Sequence, residues 1–149
     1  MTRKPIFDPD DLAGANEVVS RKQVLDAMRR GASLADSDLR GVDLSAMNLD
    51  GADLRRAKLA DANLTRATLR NANLSGASLW HANLKDAVLD GANLEQADLD
   101  FANLDGCTVK GCKVKKAIFP HGQRTHDEVN AAIRTGARLH IETPYGADE

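Results

Sequence analysis

Aromatic side chains are nearly missing from this chain of 149 residues. They make up 3% of it, as Phe7, Trp80, Phe101, Phe119 and Tyr145. Large rings supply much of the buried area in ordinary cores, so this interior must be built from small and medium aliphatics. Ala and Leu dominate, with 23 and 18 copies. Cysteine is scarce too: Cys107 and Cys112 make no disulfide framework, and a reduced cytoplasmic protein is expected. Excess charge of one sign is also lacking. The net charge is −2 and the pI about 6.1, so no global basic field points to nucleic acid or a membrane surface. No apolar run reaches the roughly 18 residues of a membrane span. The N-terminal stretch from Met1 has charge but no apolar signal-peptide core. The length suits one domain, and a hydrophobic fraction of 42% excludes a disordered chain.

What the chain does have is a repeat. From Leu34 to Leu104 a leucine recurs every five residues, followed in register by Val109, Val114 and Phe119. Eighteen pentads thus span 32–121 without insertion or deletion. Two residues before each centre stands a small side chain: Ala in thirteen pentads, Cys107 and Cys112 in two, and Ser37, Val42 and Met47 in three. Between these two positions lies a mostly polar one, Asp or Asn in ten pentads. On a helix, steps of five would spread the leucines around the whole surface. On a flat strand an odd step would flip the face each time. All centres share one interior only if the chain turns after every pentad, giving a coil with one short extended side and one corner per five residues. Glycine at the last pentad position (Gly41, Gly51, Gly76, Gly91, Gly106 and Gly111) suits such corners.

The units Ala52-Asp53-Leu54-Arg55-Arg56, Ala62-Asn63-Leu64-Thr65-Arg66 and Ala92-Asn93-Leu94-Glu95-Gln96 resemble the A(D/N)LXX motif of the pentapeptide repeat family. The resemblance implies an all-β solenoid, a right-handed quadrilateral β-helix with four pentads per coil and about 4.5 coils. At about 4.8 Å per coil it would be roughly 22 Å long.

Both ends carry a helix signal. Ser20-Arg21-Lys22-Gln23 is a capping box, and Val24, Leu25 and Met28 read as one apolar face, with Gly31 as the stop. Thr125-His126-Asp127-Glu128 reads as a second capping box, followed by Val129, Ala132, Ile133 and Gly136. The two segments align at a constant offset of 105 residues. The expected organisation is an N-terminal segment and capping helix at 1–31, the repeat at 32–121, and a C-terminal capping helix and tail at 122–149. Leu139 and Ile141 read as a last short strand, and the chain before Asn16 and after Thr143 as loose ends. Val129, Ala132, Ile133 and Leu139 are candidates for the lid itself or for a homodimer contact, since some members of the resembled family dimerise through a C-terminal module.

Outward positions carry the candidate function. Residues 55–70 have a net charge of +4, residues 86–105 of −6, and Lys110, Lys113, Lys115 and Lys116 add +4. Positions twenty apart stack in a four-pentad coil. Asp61, His81, Phe101 and His121 then form one column, beside Ala60, Trp80, Asp100 and Pro120. Trp80, His81 and Phe101 should meet in one exposed patch rimmed by Asp98 and Asp100, the candidate partner-binding residues. Exposed aromatic clusters mark contact sites. Corner packing of the rings is the plainer alternative, and a solvated surface is the plainer reading of the charge bands.

Catalysis is not expected, because no nucleophile motif, HExxH or phosphate loop is present. Two cysteines alone make no zinc site, so no metal or cofactor is expected. The leading expectation is a non-enzymatic scaffold whose partner is another protein, with neither nucleic acid nor a membrane expected as a partner. The resemblance implies two alternatives: a DNA-mimicking protein that binds and protects gyrase or another topoisomerase, and an accessory protein of a bacterial secretion or effector system. The pentad region counts against DNA mimicry, with 11 basic and 12 acidic residues and only one acidic coil.

Overall fold

A computed structural model describes residues 19–120 and 123–140. Parallel bridges join residues twenty apart, from Asp38 with Lys58 to Asp98 with Ile118. Twenty residues are four pentads, so one coil has four sides. Each side holds a single bridge, and the described residues contain no longer strand. The extended side expected of each pentad is thus no longer than one bridge, because two residues of every five are spent in the turn.

The turn is the same throughout. The N–H three residues after each centre donates to the centre's carbonyl, as Ala57 N–H does to Leu54 at 3.1 Å. The last pentad residue has a positive φ of 54–77° at every corner from Asp36 to Lys116. Since the residue before it does not, these are the φ signs of a type II turn. Six corners are glycine and eleven are other residues, among them Ala46, His81 and Phe101. Glycine is thus a preference of the corner and not its requirement.

The polar position beside each centre has a job that the repeat pattern did not disclose. In the pentad Ala82–Asp86, four N–H groups donate to backbone carbonyls: Ala82 to Leu79, Asn83 to Ala62, Leu84 to Asn103 and Asp86 to Asp105, at 2.8–3.0 Å. The fifth, of Lys85, donates to Asn83 Oδ1 at 3.1 Å. All ten pentads with Asp or Asn there, from Asp38 to Asn103, make this same bond at 3.0–3.3 Å. A short side chain with an acceptor two bonds from Cβ is suited to reach the N–H two residues on.

Inside, the leucine centres are fully or almost fully buried, and the small side chains two residues earlier fill the space between them. Each such leucine contributes about 1.5–3 kcal/mol on full burial. The pattern accommodates Cys107 and Cys112 as buried free thiols, and burial pushes both up to about 12.

Helix α1 (Arg21–Arg29) covers one end of this shaft. Its capping box forms as expected: Gln23 N–H donates to Ser20 Oγ and Ser20 N–H donates to Gln23 Oε1. Its buried face is Val24 and Ala27, with Met28 packed beside them. Leu25, expected on that face, is instead 36% exposed, because a neighbour of Val24 points about 100° away. Ala32 N–H donates to Ala27 and Gly31 N–H to Met28, with Gly31 left-handed, closing a Schellman motif. Arg21 replaces a missing coil below: its guanidinium donates to the carbonyl of Ser45 at 2.6 Å and of Asp43 at 3.5 Å.

Helix α2 (Gln123–Thr135) covers the other end. It begins two residues before Thr125; the side chain of that expected cap lies outside the described residues, as do His121, Ile141 and both chain ends. Gly136 again is left-handed at the stop. Beyond it Leu139 pairs as the next coil would: its N–H donates to Cys107 and its carbonyl accepts from Gly106, at 2.8 and 2.7 Å. Arg138 donates to the Gly106 carbonyl at 2.9 Å. The expected last short strand is thus reduced to these two hydrogen bonds, with no strand or bridge at Leu139. No helix among the described residues is long and apolar enough to cross a membrane.

Candidate interaction surface

Trp80 is the first and His81 the second turn residue between Leu79 and Ala82, a corner closed by the Ala82 N–H donating to Leu79 at 2.9 Å. One coil away, Asp100 and Phe101 hold the same places between Leu99 and Ala102. Ladder bonds set the stacking: Asp61 N–H donates to Trp80 and His81 N–H to Asp100, both at 3.0 Å. The expected columns therefore form, as Asp61–His81–Phe101 beside Ala60–Trp80–Asp100. His121 lies outside the described residues.

Side chains follow the columns. His81 Nδ1 is 2.7 Å from Asp61 Oδ1. The Trp80 ring lies 5.4 Å from the His81 ring at 34°, and 5.9 Å from the Phe101 ring at 68°, an edge-to-face contact. Trp80 is 44% and Phe101 48% exposed, so the packing leaves about half of each in solvent. His81 and Phe101 also sit at left-handed corners with φ of 59° and 57°.

The two rim carboxylates are tied to the same backbone. Asp100 N–H donates to Asp98 Oδ1 at 3.0 Å, and Phe101 N–H to Asp100 Oδ1 at 3.1 Å. Each of these oxygens thus serves the turn at the patch. Sequence reasoning missed Ile118. It bridges to Asp98 on the next coil and is 50% exposed, so it extends the apolar surface past the rim. An apolar residue at the outward position beside a centre, where Asp or Asn is the rule, was the signal.

The charge bands behave differently from one another. In the basic band three arginines are paired within and between coils: Arg55 with Asp53 at 2.8 Å, Arg56 with Asp36 at 2.7 Å, and Arg70 with Asp50 at 3.5 Å. The Arg55 guanidinium, helped by the Ser33 hydroxyl, lowers the Asp53 carboxyl to about 2. The Arg56 guanidinium likewise lowers Asp36. In the acidic band, Asp86, Asp90, Glu95, Asp98 and Asp105 make no ion pair among the described residues. The lysines at 110–116 do not neutralise them.

The candidate lid or dimer residues are separated by burial. Val129, Ala132 and Leu139 are buried against the end of the shaft, and Ile133 packs beside it. The described residues hold no group of three or more His, Cys, Asp or Glu arranged for a metal ion.

A family model for pentapeptide repeats matches in eight copies, over residues 37–76, 48–86, 72–111 and 82–119. The crystal structure of Rfr23, a pentapeptide repeat protein from the cyanobacterium Cyanothece 51142, is 33% identical, covers 75% of this chain and 71% of its own, and has a TM-score of 0.58. That of alr5209, a pentapeptide repeat protein from Nostoc PCC 7120, is 32% identical over 72% of this chain and 91% of its own, with a TM-score of 0.57. QnrB1, a plasmid-mediated fluoroquinolone resistance protein, is 14% identical over 72% of each chain at a TM-score of 0.30, too distant to carry an argument. No curated protein matches this chain.

Proposed function

We propose that this chain, which belongs to the pentapeptide repeat family, is a non-enzymatic scaffold that binds another protein through the corner built by Trp80, His81 and Phe101. The coil is taken as the right-handed quadrilateral β-helix of that family. The observation that carries the reading is the half-exposed ring pair on an otherwise rigid corner. Solenoids present extended, preformed surfaces, and half-buried Trp and Phe are the anchors interfaces use. The fold has no need of either ring: Ala60 fills the Trp80 place one coil below, and Gly41 fills the Phe101 place three coils below.

The test is affinity capture with the wild-type chain beside Trp80→Ala/Phe101→Asn. Asn already occupies a left-handed corner at Asn71, so this pair should fold. A partner held by the wild type and lost by the variant supports the reading; equal capture removes it. Topoisomerase binding by DNA mimicry has one observation in its favour, the carboxylates of Asp86, Asp90, Glu95, Asp98 and Asp105, which make no ion pair among the described residues. Protection of purified gyrase from a quinolone tests it.

A further inference from the structure

We propose that the Trp80–Phe101–Ile118 surface takes a basic, extended segment of its partner, in which an arginine or lysine has apolar residues two positions to either side. The inference rests on the scaffold reading and names the partner's chemistry.

Three of the four exposed large hydrophobics among the described residues are Trp80, Phe101 and Ile118. They lie on one corner and its adjoining side, on consecutive coils. Their spread is about two coil steps, or roughly 10 Å, which three residues of extended chain would span. Side chains alternate along such a segment, so residues two apart, roughly 7 Å, face the same surface.

Charge selects which side chains those are. Asp98 and Asp100 stand between Trp80 and Ile118, their backbone tied as described, within a coil whose carboxylates Asp86, Asp90, Glu95 and Asp105 have no cationic partner among the described residues. A cation placed at Asp98 and Asp100 also lies beside the Trp80 ring, whose face attracts it. An acidic segment would meet like charge on the whole coil. Apolar residues two positions to either side of that cation face the same way and would cover Phe101 and Ile118. The arginines of the first basic band do not compete for these carboxylates, because Arg55, Arg56 and Arg70 are held by their own.

Trp80 is the sole tryptophan of the chain, so its fluorescence reads the site directly. The probes are three synthetic pentapeptides that place the tested side chains two apart on one face: Leu-Ser-Arg-Ser-Leu (Arg/Leu), Leu-Ser-Glu-Ser-Leu (Glu/Leu) and Ser-Ser-Arg-Ser-Ser (Arg/Ser). The protein is the full chain and its Asp98→Asn/Asp100→Asn variant. Asn keeps the Oδ1 acceptor that Asp98 and Asp100 offer the backbone, as Asn83 and Asn93 do elsewhere. The variant should therefore keep the wild-type melting temperature.

The expected result is a saturable emission shift with the Arg/Leu peptide, weakened about tenfold or more in the variant and by high salt. The Arg/Ser and Glu/Leu peptides should bind at least about tenfold more weakly. Equal binding of Glu/Leu, an unchanged affinity in the variant, or no shift with Arg/Leu each overturns the proposal. So does a doubled mass in solution that Trp80→Ala abolishes, since a second copy would then cover the surface. A captured partner that needs Trp80 and Phe101 but not the two carboxylates would leave the scaffold reading standing while this inference fails.

Discussion

Ala46 and Gly51 occupy the last position of successive pentads, at left-handed corners with φ of 55° and 70°. Exchanging their side chains should move stability in opposite directions. An L side chain in the left-handed region costs about 1–2 kcal/mol, while the extra freedom of glycine in the unfolded chain takes back about 0.5–1 kcal/mol. Ala46 is exposed, so little packing is lost on truncation. A Cβ at Gly51 would meet nothing within 4 Å, so no clash is added. Ala46→Gly should therefore stabilise by about 0.5–1 kcal/mol and Gly51→Ala destabilise by about as much. In a chain of this size that is about 1–4 °C up and down in a thermal melt followed by circular dichroism. In a helix or strand Ala→Gly costs about 0.5–1 kcal/mol, so the sign alone is diagnostic. A lower melting temperature for Ala46→Gly, or shifts of one sign for both variants, would refute the left-handed corner. Gly106→Ala should cost more than Gly51→Ala, because its Cβ would run into the Asp86 carboxylate.

Leu74 is fully buried in the middle of the shaft, so Leu74→Ala should cost about 2–5 kcal/mol; a melting temperature equal to that of a surface variant would sink the inward assignment. Ser37 is buried with its hydroxyl unpartnered in a place where Ala is the rule, so Ser37→Ala should raise stability by about 1 kcal/mol, read by urea unfolding. Asp53 is lowered to about 2 in the folded chain by Arg55 and Ser33, against about 3.9 unfolded. The unfolded state thus takes up the proton first, so this stabilisation is whole above the unfolded value and is lost as pH falls through the folded one. Asp53→Asn should flatten the acid limb of a stability–pH curve between about pH 4 and pH 2; an unchanged limb would remove Asp53 from the account.

The interior was readable from sequence because one physical demand acts on it at a fixed interval. A shaft one Leu and one Ala wide forces those types to recur, and no other period puts all of them inside. Ser20, Gln23 and Gly31 were readable for a local reason: a helix end is a contact between residues three to five apart. Whatever depends on neighbours twenty apart needed the coil first. The stacking of Asp36 on Arg56, Arg21 reaching the Ser45 carbonyl, and Leu139 standing in for the next coil are invisible to a linear scan. The Asp and Asn beside the centres are an intermediate case. Their side chains act two residues away, yet the reason for them appears only when the other four N–H groups of the pentad are accounted for.

The same division explains where a function can be written on this fold. Corner positions accept Gly, Ala, Asp, Asn, Arg, His, Gln, Lys and Phe at nearly one φ, so the backbone does not dictate the side chain there. The column of Phe101 holds Gly41, Asp61 and His81 at the same station, which shows the fold forming without a ring. Phe101 therefore adds left-handed strain of about 1–2 kcal/mol for a ring left half in water. Its edge contact with Trp80 returns about 0.5–1.5 kcal/mol and its half-buried ring about 1 kcal/mol more, so folding gains little from the pair. Inward positions are held by packing and the Asp or Asn positions by a hydrogen bond; Trp80 and Phe101 are held only by half-burial against each other. A residue whose presence the folded chain rewards so little is best explained by something the chain touches, and the charge beside these two rings fits a cation.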